Sequence, residues 1–102
     1  MNAFKQIEVE QARAIIEADQ PVIVDIRDEE SYRQSHIDGA VLINDHSITE
    51  FMTNADRSKP VICYCYHGFS SQSVAAFLAA QGFRDVYSVI GGFEEWRRKY
   101  KD

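Results

Sequence analysis

Strand-like and helix-like patterns alternate along the whole of this 102-residue chain, which predicts an α/β fold built on a mostly parallel sheet. Two observations carry that expectation. Val22-Ile23-Val24 and Val61-Ile62-Cys63-Tyr64-Cys65 are unbroken apolar runs, the mark of strands covered on both faces. Each gives way at once to polar or glycine-bearing residues and then to apolar residues at helical spacing.

Taken in order, Phe4 to Val9 alternates apolar and polar side chains as a short half-buried strand does, and Ala12, Ile15 and Ile16 mark a helix over residues 10–18 that ends at Asp19-Gln20-Pro21. The run from Pro21 to Ile26 is the second strand. Asp28 reads as the N-cap of a helix whose first turn holds Glu29 and Glu30, acids that suit the positive helix end. Ser35 to Ala40 is a polar turn with a glycine, leading into the short strand Val41-Leu42-Ile43. His36, within that turn, reads as a hydrogen-bonding structural residue. Asn44 to Ser47 opens a further helix with Ile48, Phe51 and Met52 as its buried stripe, and residues 54–59 connect it to the strand that starts at Val61. Val74, Phe77 and Leu78 mark the next helix, which Gly82 stops as a left-handed C′ residue. Asp85 to Ile90 is the fifth strand candidate. Gly91-Gly92 then allows two loops to approach closely before a helix from Phe93 to Tyr100, acidic at its start and basic at its end.

Length and composition predict one domain over residues 1–102, with 45% hydrophobic and 26% charged residues, enough for a core without staples. A net charge of −5 and a pI near 5.1 argue against nucleic acid or an anionic membrane as partner, so any anion site must be local. No apolar run approaches the roughly 20 residues of a membrane span, and the N-terminal residues lack a signal-peptide apolar core. The expected location is cytoplasmic. Cys63 and Cys65 stand about 6.6 Å apart if a strand rises about 3.3 Å per residue, near the outer limit for an unstrained bridge, so a structural disulfide is not expected. Cys63, Cys65 and His67 do not have the paired spacing or the fourth ligand of a structural zinc site. Neither a metal nor a cofactor is predicted.

The segment from Val61 to Leu78 organises the rest. It reads as buried strand, short loop with Gly68, and helix, which puts the loop at the carboxyl end of the sheet and aims backbone N–H groups and a helix N-terminus at whatever sits there. Cys65 opens that loop. Such surroundings favour the thiolate; a pKa lowered from about 8.5 to about 6.5 raises the thiolate fraction at pH 7 from roughly 3% to roughly 75%. Cys65 is therefore the candidate nucleophile, whereas Cys63, inside the strand, reads as a small buried hydrophobe. Tyr66, His67, Gly68, Phe69, Ser70 and Ser71 form the candidate anion-binding loop, with hydroxyl donors from Ser70 and Ser71 and a pocket wall from Tyr66, His67 and Phe69. Asp25 and Arg27, at the end of the second strand, are placed to pair with each other or to brace a neighbouring loop.

Asp25-Ile26-Arg27, His36-Ile37-Asp38-Gly39-Ala40, Cys65-Tyr66-His67-Gly68 and Gly91-Gly92-Phe93-Glu94-Glu95-Trp96, in this order and spacing, resemble a single-domain rhodanese over nearly the whole chain. That resemblance implies a five-stranded parallel sheet with helices on both faces and a persulfide formed at Cys65. It further implies thiosulfate as sulfur donor, with cyanide or a thiol, such as a thioredoxin-type protein, as acceptor. One departure stands out. Many rhodaneses and the related phosphatases place an arginine five or six residues after the cysteine, where this chain has Ser70 and Ser71. Without a bidentate guanidinium the loop suits a phosphoryl dianion poorly. A cysteine phosphatase or arsenate reductase is the first competing reading, and a non-catalytic docking module the second; the retained Cys65 and its glycine-containing loop count against the latter.

Overall fold

The computed structural model describes residues 3–100. Strands β1 (Lys5–Ile7), β2 (Val22–Asp25), β3 (Val41–Leu42), β4 (Val61–Tyr64) and β5 (Val86–Val89) alternate with helices α1 (Val9–Asp19), α2 (Glu29–Gln34), α3 (Ile48–Asn54), α4 (Ser70–Ala80) and α5 (Gly92–Lys99). The five strands pair in the order β1-β5-β4-β2-β3, and every pairing is parallel.

Strand β4 lies at the centre, and all four of its residues are fully buried. Its side chains alternate between two cores. Ile62 and Tyr64 join Ile23, Val89, Val9, Ala12, Phe93 and Trp96 on the face covered by α1 and α5, while Val61 and Cys63 join Val24, Val86, Ala75, Leu78 and Phe83 under α4. Each aliphatic side chain so placed contributes about 1.5–3 kcal/mol of burial free energy. Tyr32 of α2 packs on the first core, and Ile48, Phe51 and Met52 of α3 pack on the second, the stripe expected from their spacing.

Strands β2, β3 and β5 are shorter than their apolar runs and α5 is shifted by one residue, and two further boundaries differ from the sequence reading in ways that bear on the site or its supports. Strand β1 ends at Ile7, and Val9, read as its last residue, begins α1. Val9 shares a helical period with Ala12 and Ile16, and Glu8 caps the helix by donating its backbone N–H to Gln11 Oε1 at 2.8 Å. Helix α4 starts at Ser70, so Ser70 and Ser71 belong to its first turn rather than to a longer loop. Elsewhere the local signals act as expected: the Asp28 carboxylate accepts from the Ser31 N–H at 3.0 Å, and Gly82 adopts φ +98° after α4.

The connections place the site. The chain leaves β2 toward α2 on one face and leaves β4 toward α4 on the other, so the carboxyl ends of these neighbouring strands flank a crevice, the position where open α/β sheets bind ligands. Cys65 is the first residue past β4.

Asp25, Arg27 and Tyr64 tie the strand ends together beneath this crevice. Arg27 donates from Nη2 and Nε to the fully buried Asp25 carboxylate at 2.7 and 3.1 Å, and from Nη2 to the Ser35 carbonyl at 2.6 Å. Tyr64 Oη donates to Asp25 Oδ2 at 2.6 Å and accepts the Ile37 N–H at 3.1 Å. The guanidinium also lies over the Phe93 ring, 4.2 Å from its centroid. Both alternatives left open by the sequence therefore hold: Asp25 and Arg27 pair, and Arg27 braces the turn after α2. Burial and the Asp25 carboxylate push the Tyr64 phenol well above its ordinary range, so it stays a donor. Tyr64→Phe leaves both the Ile37 N–H and Asp25 Oδ2 short of a buried partner, and is expected to lower the unfolding free energy by about 1–3 kcal/mol, read as a reduced denaturant midpoint.

Candidate active site

Past the end of β4 the chain turns back on the cysteine sulfur. Cys65 Sγ accepts the Gly68 N–H at 3.1 Å and the Ser71 N–H at 3.3 Å, and the Ser71 hydroxyl lies 3.3 Å away. Phe69, the N-cap residue of α4, offers no side-chain acceptor to the helix. The sulfur takes that place, satisfying a first-turn N–H that is otherwise an orphan. Sγ is thus both the candidate nucleophile and the cap of α4.

The loop is aimed by the opposite element. The Phe93 and Glu94 N–H groups, in the first turn of α5, donate to the Cys65 and Tyr66 carbonyls at 2.8 and 3.0 Å. Those contacts hold the carbonyls toward α5, and the next N–H groups along the chain turn toward sulfur. Gly92, at φ +59°, makes the approach possible, since a Cβ there would meet the Cys65 oxygen at 2.5 Å and the Tyr66 carbonyl at 2.7 Å. Gly68, at φ +96°, is equally constrained, because its Cβ would meet Gly91 N at 2.8 Å. The glycine pair thus brings the two loops together, as its place between strand and helix predicted.

Burial opposes ionisation of Cys65, yet the Ser71 hydroxyl and the Ser71, Gly68 and His67 N–H groups outweigh it and hold the thiol below its ordinary range. Among the described residues no such donor meets Cys63, and burial pushes its thiol up to about 12. Both cysteines are free.

The predicted loop residues do not all face the sulfur. Ser71 is fully buried against it, but Ser70 is exposed, and its hydroxyl is not among the groups bonded to Sγ; one step along a helix turns a side chain through about 100°, so only one of two adjacent serines points inward. The His67 side chain is exposed with its ring 4.9 Å from that of Tyr66, and only its backbone N–H bears on the sulfur. Tyr66 and Phe69, 40% and 77% exposed, are the exposed aromatic residues of the loop, whose cysteine is itself 5% exposed. His36 stacks on Tyr32 at 3.9 Å and bonds its carbonyl through Nδ1, the structural role expected of it. The sequence reading passed over Gln72, whose Nε2 donates to the Gly68 carbonyl at 3.0 Å, and Ser88, whose hydroxyl lies 2.8 Å from that of Ser71. The one available signal for Ser88 was a hydroxyl in the middle of an apolar strand.

This geometry has three measurable outcomes. Because a lowered thiol pKa keeps the thiolate populated below the ordinary range of about 8.5, alkylation of Cys65 by iodoacetamide holds its rate as pH falls through that range and declines only through the depressed value. Peptide mapping of the native protein at neutral pH should find Cys65 labelled and Cys63 untouched. Gly92→Ala, which drives a Cβ into the Cys65 carbonyl, should slow Cys65-dependent turnover by about tenfold to a hundredfold, measured alongside a far-ultraviolet spectrum that reports retained fold.

Comparison with known proteins agrees with the fold. The thiosulfate sulfurtransferase GlpE of Pseudomonas savastanoi pv. phaseolicola is 51% identical over 102 residues, covering all of this chain and 95% of that protein, and GlpE of Pseudomonas entomophila is 51% identical over 100 residues, covering 98% and 91%. A rhodanese-like domain protein from Staphylococcus aureus superposes with a TM-score of 0.77 at 28% identity over 91% of each chain. A rhodanese-related protein from Thermoplasma volcanium shares the fold, with a TM-score of 0.80 at 23% identity over 94% of this chain and 93% of that one. The rhodanese-like domain family model matches residues 8–99, from the cap of α1 to the last residue of α5, and takes in both glycine-bearing loops; the chain belongs to the rhodanese-like domain family.

Proposed function

We propose that the protein is a thiosulfate sulfurtransferase that carries sulfane sulfur on Cys65. The observation that carries this reading is the ring of donors on Sγ, made of backbone N–H groups and one hydroxyl with no guanidinium among them, in a chain half identical over its full length to GlpE sulfurtransferases. The Cys65 thiolate attacks the outer sulfur of thiosulfate. The sulfur–sulfur bond of thiosulfate breaks, sulfite leaves with the electron pair, and a Cys65 persulfide remains. An acceptor then attacks the outer sulfur, and the pair of the breaking bond returns to Sγ, regenerating the thiolate; with cyanide the product is thiocyanate.

The donors that stabilise the thiolate belong to a loop of N–H groups suited to the persulfide anion as well. In the cell a thiol acceptor of the thioredoxin type fits the exposed Tyr66 and Phe69, which offer a protein surface two aromatic side chains on the loop that carries Cys65. A cytoplasmic location goes with this reading, since a free nucleophilic cysteine and a thiol acceptor both require a reducing compartment.

Intact-protein mass spectrometry tests it. Thiosulfate should add the mass of one sulfur atom, cyanide should remove it, Cys65→Ser should abolish both, and Cys63→Ser should largely spare them. Cys65-dependent release of phosphate from an aryl phosphate, with no gain of sulfur, would replace this reading with the phosphatase one.

A further inference from the structure

We propose that Ser88 is a positioning residue of this site, its hydroxyl acting through Ser71 to stabilise charge on Cys65 Sγ as the persulfide is discharged; the discharge step rests on the function proposed above. Ser71 and Ser88 are 0% and 1% exposed, so neither hydroxyl has bulk water as a partner. Buried hydroxyls find hydrogen-bond partners. For Ser88, on β5, the only one among the described residues is Ser71 Oγ at 2.8 Å; Ser71 Oγ in turn lies 3.3 Å from Sγ. The three groups form a single line running from the middle of a strand to the sulfur.

The direction of the protons along that line is set by the charge on sulfur. A thiolate only accepts, so Ser71 gives its hydrogen to Sγ and accepts from Ser88, and each bond polarises the next. In the persulfide the inner sulfur is bonded to two atoms and the negative charge sits on the outer one, so the Ser71 hydroxyl gains less from facing Sγ. When the acceptor attacks the outer sulfur, the bond between it and Sγ breaks and the electron pair collects on Sγ. The two-hydroxyl line meets that charge as it develops, which assists the leaving group. Loading of the sulfur runs the other way, from thiolate to persulfide, and draws on the line only for the population of thiolate; once Cys65 is ionised, loading gains nothing from it.

The other titratable groups around the sulfur do not supply this effect. Cys63 is a buried thiol pushed up to about 12, Tyr64 turns to Asp25 and Arg27, the His67 and Tyr66 side chains are exposed, and Glu94 and Glu95 of α5 pair with Arg97 and Arg98.

Two measurements on Ser88→Ala test the assignment. Iodoacetamide labelling of Cys65 across pH, which needs no sulfur transfer, should show a midpoint moved upward and a rate at pH 7 lower by about threefold. Single-turnover kinetics, at a pH above the labelling midpoint of both proteins so that Cys65 is ionised in each, should show discharge of the persulfide to cyanide slowed more than its loading from thiosulfate. Ser88→Thr, which keeps a hydroxyl, should restore both, and Ser88→Ala should add nothing in a Ser71→Ala background. Thermal unfolding of each variant is measured in parallel, and the isosteric pair Ser88→Thr and Ser88→Val carries the comparison if Ser88→Ala does not fold. An unchanged labelling profile in a folded hydroxyl-less variant, or an equal effect with Ser71 already removed, overturns the proposal. Failure of thiosulfate to load sulfur at all would instead count against the sulfurtransferase reading and leave the labelling test of Ser88 in force.

Discussion

The carbonyl oxygens of Cys65 and Tyr66 are held by the first-turn N–H groups of α5, and the geometry of the reactive loop depends on that contact. A helix N-terminus has donors to spare, and here they are spent on the backbone of another loop rather than on a ligand. With its carbonyls held there, the loop presents N–H groups to Sγ, and the N-terminus of α4 completes the ring through Ser71. Two helix ends therefore act on one cysteine in different ways. One orients the loop and the other receives the sulfur as its cap. Gly92 is the condition for both, because any side chain at that position would collide with the carbonyls being held.

A ring of amide dipoles serves a different chemistry from that of a guanidinium. Arginine offers a full charge and a planar fork, which suits the paired oxygens of a phosphoryl dianion. Amides and a hydroxyl offer partial charges in fixed directions at short range, which suits a single sulfur bearing one negative charge. This arrangement is also consistent with a chain whose net charge is −5: the donors face Sγ from within the loop and do not require a basic surface.

Beneath the loop, the Asp25, Arg27 and Tyr64 network shows how a buried ion pair is tolerated. The Asp25 carboxylate accepts from Arg27 side-chain and backbone donors and from Tyr64 Oη, so its lone pairs are filled, and the guanidinium gains a carbonyl and an aromatic face besides. Such a pair adds less to stability than its charges imply, since desolvation offsets much of the attraction. What it does supply is register: it joins the ends of β2 and β4 to the turn at Ser35 and Ile37, and Tyr64 is the residue immediately before Cys65.

Periodicity is a local property, and the features set by local properties were legible in the sequence. The alternation of strands and helices, the apolar runs of β2 and β4, the Asp28 cap, the Gly82 stop and the place of Cys63 within its strand and of Cys65 just past its end all depend on residues within a few positions of one another. The strand order was settled by packing across the whole chain. So was the phase of α4, which turns Ser71 rather than Ser70 to the sulfur, because the helix starts where Sγ can cap it. Tyr64 reaches Asp25 across 39 residues and Ser88 reaches Ser71 across 17, contacts that exist only once β2, β4 and β5 lie side by side. A single sequence records which residues have the chemistry to make such contacts, but it carries no signal for which partner the tertiary fold brings within hydrogen-bonding distance.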